Sequence, residues 1–213
     1  LHVLMHHRQE LYLRASQREK RWAPKFQWPA SAISVGIMGL GTLGSNAAEV
    51  LRRLGFRVSG WSSTAKQIDG IESFHGKSGL DAFLQRTDIL VCLLPLTSGT
   101  RHILNRELFA KLNRNSPIGA PVVINAGRGG LQNEPDILEC LDDGTLGAAS
   151  LDVFANEPLP PDSPFWAHPK IVLTPHNAAD TDADEISKYV ALQIERFEAG
   201  ARLENVVDLA RGY

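Results

Sequence analysis

The chain is predicted to be an α/β protein, a doubly wound parallel sheet with helices on both faces, on two observations. From Ile33 onward, short apolar runs alternate with amphipathic, helix-like stretches. The runs are also nearly continuous, as in Ile89-Leu90-Val91-Cys92-Leu93-Leu94. Strands buried on both faces read this way, whereas a sheet with one wet face shows polar–apolar alternation.

The elements follow in order. Leu1 to about Gln27 is polar and basic, with Leu4, Leu11, Ala15 and Trp22 at helix-like spacing and no Gly or Pro before Pro24. One long solvated helix with a narrow apolar edge is expected there, followed by a linker from Pro24 to Ala30. Ile33–Met38 reads as a strand, Thr42–Leu54 as a helix, Arg57–Ser62 as a second strand and Ile71–Phe74 as a short third. Ser78 is expected to cap a helix ending near Arg86. Ile89–Leu94 is a strand, Asn105–Leu112 a helix, Pro121–Asn125 a strand, and Glu134–Asp143 a helix closed by Gly144. Ala148–Val153 and Lys170–Thr174 are the last strands, and Asp182–Ala199 the last helix.

Composition narrows the function classes. The 213 residues suffice for one full-sized core, and a net charge of -2 gives no global attraction to nucleic acid or membrane. The basic start lacks the stacking aromatics and sustained stripe of a nucleic-acid surface. No stretch approaches the ~20 apolar residues of a bilayer span. Cys92 and Cys140 are too few for a disulfide framework, and Cys92 in its apolar run is expected to be a buried thiol, in keeping with a cytoplasmic setting. The chain begins at Leu1 rather than Met, which suggests a fragment, and no signal peptide is readable.

Gly39-Leu40-Gly41-Thr42-Leu43-Gly44 follows a strand and opens a helix, the context that turns a glycine pattern into a dinucleotide loop. Gly39 permits the tight turn. Gly41 keeps side chains off the pyrophosphate, and Gly44 lets helix and strand approach while the helix N-terminus, with Thr42 and Leu43, faces the phosphates. The fold is therefore expected to be of Rossmann type. An NAD site carries an acid about 20 residues on for the ribose 2'-hydroxyl. Here the second strand ends in Ser62-Ser63-Thr64-Ala65-Lys66, and Asp69 comes too late. The hydroxyls of Ser62, Ser63 and Thr64 and the Lys66 ammonium suit a 2'-phosphate, so NADPH is expected, with NADH possible. The alternative is that the hydroxyls only cap a turn.

Three segments carry the chemistry: Asn125-Ala126-Gly127-Arg128-Gly129-Gly130, Asp152-Val153-Phe154-Ala155-Asn156-Glu157-Pro158 and Thr174-Pro175-His176-Asn177-Ala178-Ala179. Each follows an apolar run that reads as a strand. With the glycine loop, Leu94-Pro95-Leu96-Thr97 and the ending Ala210-Arg211-Gly212-Tyr213, they make the chain from Ile33 onward resemble the cofactor-binding part of the D-isomer-specific 2-hydroxyacid dehydrogenases. Within that family it is most similar to the glyoxylate/hydroxypyruvate reductases.

The resemblance implies that Arg128 holds the carboxylate of a 2-oxo acid and polarises its carbonyl, a task suited to a planar guanidinium. It implies that His176 delivers a proton to the carbonyl oxygen and that Glu157 orients the imidazole. Leu94, Pro95, Ala126 and Gly127 would line the ribose and nicotinamide end, Asp152 would meet the carboxamide, and Asn177 and Ala178 would complete the cofactor wall. No metal is called for, and the adjacent His6 and His7 diverge on a helix. Family members have a separate substrate domain built mostly from preceding residues. The expected organisation is therefore residues 1–29 as connecting helix and linker, 30–178 as the dinucleotide-binding domain, and 179–213 as a helix returning toward a substrate domain largely absent here. A small-molecule substrate and a homodimer follow from the same resemblance. The competing functions are a dinucleotide-sensing binding protein and a cofactor-binding fragment without activity.

Overall fold

The protein is described by a computed structural model covering residues 1–207. The segment Ala210–Tyr213, used for the resemblance, lies outside the described residues. Two compact units are distinguished, residues 1–175 and residues 176 onward.

In the first unit, β1 (Ser34–Met38), β2 (Arg57–Ser62), β3 (Glu72–His75), β4 (Ile89–Cys92), β5 (Val122–Asn125), β6 (Ala148–Leu151) and β7 (Ile171–Leu173) form one sheet in the order β3-β2-β1-β4-β5-β6-β7. Every pairing is parallel. The predicted Rossmann-type doubly wound sheet is therefore what the chain forms. Side chains leave the strands alternately to two apolar layers. Ile89, Val91, Val122 and Ile124 join Ile33, Val35 and Ile37 on one face. Leu90, Cys92, Val123, Ala149 and Leu151 face the larger layer with Phe83, Phe109 and Leu131. This two-sided burial is why β4 and β5 show no polar alternation.

The helices of this unit are α1 (His2–His7), α2 (Glu10–Arg18), α3 (Thr42–Arg53), α4 (Gly76–Leu84), α5 (Arg106–Ala110) and α6 (Glu134–Asp142). Asn105 and Asn133 cap the last two, accepting from the amides of Leu108 and Asp136. Two expectations need correction. The opening helix is not continuous, because Gln9 adopts φ 57° and divides α1 from α2. The break lets Gln9 Nε2 donate to Phe26 O at 2.7 Å, while His7 Nε2 lies 2.7 Å from Trp28 O. Of the anticipated apolar edge, Leu11 packs against the core but Leu4 and Trp22 do not lead the packed face. Trp22 is 97% exposed and Leu4 38%, while Val3, His6, His7 and Ser16 are buried. The second correction concerns Ser78, which lies inside α4. That helix begins at Gly76, whose carbonyl accepts from Trp61 Nε1 at 2.9 Å and so holds the helix start against β2.

The second unit contains α7 (Ala183–Glu198). Asp182 caps it by accepting from the amides of Asp184 and Glu185. Gln193 Oε1 accepts from Glu204 N at 2.9 Å, and Arg196 bridges to Glu204 at 2.5 Å, folding the following segment back on the helix. Among the described residues, no helix is long and apolar enough to cross a membrane.

Candidate active site

The register aligns the last residues of five strands, Met38, Cys92, Asn125, Leu151 and Leu173, in one row. The hydrogen bonding then runs one residue further. Leu93 N donates to Met38 O (2.8 Å), Ala126 N to Cys92 O (3.2 Å), Asp152 N to Asn125 O (3.0 Å) and Thr174 N to Leu151 O (3.1 Å). The loops that carry Gly39, Leu94, Ala126 and Asp152 thus leave the sheet side by side at its carboxyl edge. The row straddles the point where the strand order reverses, between β1 and β4, which is where open α/β sheets leave a crevice.

The three glycines of the first loop meet three different surroundings. Gly39 has φ 106°, and a β-carbon there would lie 2.7 Å from Leu93 O. A β-carbon on Gly44 would lie 1.8 Å from Gly39 O, so the first turn of α3 sits directly on the loop. One on Gly41 would meet nothing within 4 Å. Open space over Gly41, at the N-terminus of a twelve-residue helix, fits a pyrophosphate. Thr42 and Leu43 beside it are exposed.

At the end of β2, Ser62 is buried and its hydroxyl donates to Thr64 O at 2.7 Å. Its proton therefore closes the turn, while Ser63, Thr64 and Lys66 are exposed. On the next loops, Leu94 is buried and Pro95 half-buried. Thr100 Oγ1 secures the latter by donating to Pro95 O at 2.7 Å and accepting from Thr97 N at 2.8 Å. The Cys92 thiol just below is fully enclosed, and burial pushes its pKa up to about 12.

Arg128 stands exposed at the tip of its loop, with Nη1 donating to Gly127 O at 2.6 Å. Beneath it Asn125 is wholly buried. Its Oδ1 accepts from Gly127 N (3.1 Å), and its Nδ2 donates to Arg128 O (3.1 Å) and Gln132 Oε1 (2.8 Å). Glu157 lies on the loop after β6, where its Oε1 accepts from Phe154 N at 2.8 Å. Asp152 is 3% exposed, and its Oδ1 accepts from Thr174 Oγ1 at 2.5 Å. The Arg128 and Glu157 loops touch directly, since a β-carbon on Gly129 would lie 1.8 Å from Phe154 O.

His176, Asn177 and Ala178 open the second unit, just beyond β7, and His176 adopts φ 54°. Of the remaining histidines, His6 Nε2 lies 2.7 Å from Ser150 Oγ on β6, and His168 Nε2 lies 3.4 Å from Asp142 Oδ1. Among the described residues, no group of three or more His, Cys, Asp or Glu is placed to hold a metal ion.

Sequence reasoning passed over Gln132 and Glu134, which tie the two charged loops together, and over Thr174 and the Asn125 side chain. Asn125 and Thr174 open two of the recognised segments, and Gln132 and Glu134 follow one. The bonds of Gln132, Glu134 and Thr174 to Val153, Ala155 and Asp152, however, span 21, 21 and 22 positions, and no local pattern announces them.

Comparison with known proteins supports the same lineage. Residues 1–178 match the family model described as D-isomer specific 2-hydroxyacid dehydrogenase, NAD binding domain. A glyoxylate/hydroxypyruvate reductase A of Yersinia enterocolitica is 42% identical over 99% of this chain and 66% of its own length. A crystal structure of the NADPH-dependent glyoxylate/hydroxypyruvate reductase of Sinorhizobium meliloti, with NADP and sulfate, is 53% identical with a TM-score of 0.97, covering 100% of this chain and 67% of that one. A D-isomer specific 2-hydroxyacid dehydrogenase of Xanthobacter autotrophicus, solved with NADPH and MES, is 40% identical with a TM-score of 0.92, covering 99% of this chain and 85% of that one. The chain spans 62–66% of the length of the curated relatives it matches. With the glycine turn and the row of strand-end loops, these likenesses mean that the chain belongs to the D-isomer specific 2-hydroxyacid dehydrogenase family, of which it carries the NAD-binding domain.

Proposed function

We propose that the chain is the cofactor-binding part of an NADPH-dependent reductase that converts glyoxylate and hydroxypyruvate to glycolate and glycerate. The observation that carries the proposal is the carboxyl edge of the sheet. There the open phosphate turn after β1 and the Arg128 and Glu157 loops after the neighbouring β5 and β6 leave the sheet in one row. The relatives support the substrate and cofactor, being reductases of these two oxo acids or proteins crystallised with NADP or NADPH.

In this proposal the Gly39–Gly44 turn holds the pyrophosphate through backbone amides and the N-terminus of α3. Ser63, Thr64 and Lys66 meet the 2'-phosphate, with Ser62 shaping their turn. Leu94, Pro95, Ala126 and Gly127 bound the ribose and nicotinamide, Asp152 meets the carboxamide, and Asn177 and Ala178 close that end. When bound, the reduced nicotinamide supplies the hydride. Arg128 grips the carboxylate of the oxo acid in a planar, two-pronged contact and draws electron density toward the carbonyl oxygen. His176 releases its proton to that oxygen, so that no free alkoxide accumulates, and Glu157 aligns the imidazole and balances its positive charge. Residues 1–29 and 179–213 belong, on the same proposal, to the connection with a substrate domain.

The test is to follow loss of the reduced-nicotinamide absorbance with the full-length protein, NADPH and either oxo acid, NADH serving as the comparison. Turnover of both acids with NADPH preferred is expected. Tight NADPH binding without consumption of any 2-oxo acid would make the protein a dinucleotide sensor instead.

A further inference from the structure

Gln132 has no role in the proposed reaction, yet its side chain bonds toward both charged loops. It is 1% exposed and beside Asn125, which is fully buried. Gln132 Oε1 accepts from Asn125 Nδ2 at 2.8 Å on the side of the Arg128 loop. Gln132 Nε2 donates to Val153 O at 3.0 Å, on the side of the Glu157 loop, and lies 3.4 Å from Glu134 Oε1. Glu134 Oε1 also accepts from Ala155 N at 2.9 Å, so the amide and the carboxylate hold two successive points of the same turn.

We propose that Gln132 is a positioning residue for the reduction: its buried carboxamide clamps the Arg128 loop to the Glu157 loop, so that guanidinium and carboxylate keep one spacing. The proposal rests on the roles given above to Arg128 and Glu157.

The chemistry of the position selects a primary amide. The Asn125 side demands an acceptor and the Val153 carbonyl a donor at the same time, at the reach of two methylenes. A glutamate carboxylate supplies no donor and would stand against Glu134. A methionine of similar shape supplies neither bond and leaves Asn125 Nδ2 and Val153 O short of partners. Away from water such losses are not made good by solvent. The bonds to Gly127 N, Phe154 N and Ala155 N show which amides the clamp controls, because each is held by a side chain of the network or of the loop it anchors.

The experiment compares Gln132→Met with wild type in the full-length protein by two independent measurements. In the first, amide hydrogen exchange of Gly127, Phe154 and Ala155 is expected to quicken together by tenfold or more, with the amides of β1 unchanged. Quickening on one loop alone, or on neither, would overturn the clamp. In the second, the oxo-acid KM should rise and kcat fall by clearly more than the loosened Gly127 loop raises the NADPH dissociation constant. A displacement of about 1 Å at such a site can cost on the order of 10²-fold in rate. Unchanged kinetics, or NADPH affinity falling in parallel with turnover, would reduce Gln132 to a packing residue. Absence of turnover in the wild type itself would instead refute the proposed reaction, and hydrogen exchange would still decide whether the two loops are joined.

Discussion

His6 Nε2 and Ser150 Oγ lie 2.7 Å apart in a buried contact that joins α1 to β6. Burial, helped by the neighbouring His2, lowers the His6 pKa from 6.5 to about 4. The imidazole is therefore neutral in the fold at pH 7 and must be charged against the cost of desolvation if the pH falls.

The sign follows from linkage. The unfolded chain binds a proton at His6 below about pH 6.5 and the folded chain only below about 4, so stability contributed here is complete above the first value and is lost between the two. A shift of this size corresponds to something on the order of 3 kcal/mol at full loss. Urea unfolding at pH 7 and pH 4.5 should show a larger drop for wild type than for His6→Gln, which keeps hydrogen-bonding groups near Ser150 without titrating. Equal drops would mean that His6 protonation does not govern the acid limb.

The phosphate turn separates two kinds of glycine. Gly44→Ala puts a β-carbon into Gly39 O and should destabilise the fold by about 1–3 kcal/mol or more, as overpacking does. Gly41→Ala enters open space and should cost the unliganded protein much less stability than Gly44→Ala, no more than Ala costs in place of Gly at the N-cap of α3. It should nevertheless weaken NADPH binding by roughly 10-fold or more, the range for one misplaced methyl group in a fitted pocket. Calorimetric titration and thermal melts on both variants check this, and wild-type affinity in Gly41→Ala would show that the phosphates take another path.

His176→Ala should lower turnover of glyoxylate by about 10²–10⁴-fold, the usual yield of general acid catalysis, with NADPH binding nearly intact. Stopped-flow single turnovers separate the chemical step from product release. A variant with the wild-type single-turnover rate would show that another group donates the proton.

Ser62→Asp should move the catalytic efficiency ratio from NADPH toward NADH, because a carboxylate at the end of β2 repels a 2'-phosphate and accepts from a 2'-hydroxyl. The change also removes the bond from Ser62 Oγ to Thr64 O, so Ser62→Ala is the necessary companion. If the alanine variant shifts the ratio as far as the aspartate does, the effect belongs to the turn and not to the charge.

The central strands β4, β5 and β6 were legible because each is buried along its whole length and so carries a nearly uninterrupted apolar signature. β2 has the predicted bounds, and β1 and β4 differ by one or two residues at an end. The break at Gln9 was not legible, since a glutamine at positive φ leaves no local mark and the contacts that hold it come from Phe26 and Trp28. For the same reason the packed face of the opening segment, with His6 and His7 inward, left Leu4 and Trp22 of the expected apolar edge outside, while Leu11 packs against the core. At the candidate site, Gly39–Gly44 and the segments around Arg128, Glu157 and His176 stood out as local motifs. Gln132 did not, because a buried amide is defined by partners such as Val153 O, twenty-one positions away.

The contact of Gly129 with Phe154 O is made by main chain on main chain, so no choice of side chains elsewhere can substitute for it. The Arg128 loop and the Glu157 loop are for that reason one inheritable block, although α6 and β6 separate them in the sequence. A chimera that imports one loop from a relative should fail unless the other comes with it, whereas α6 between them can be exchanged on its own solvent face. The smallest interchangeable part at this edge of the sheet is a pair of loops.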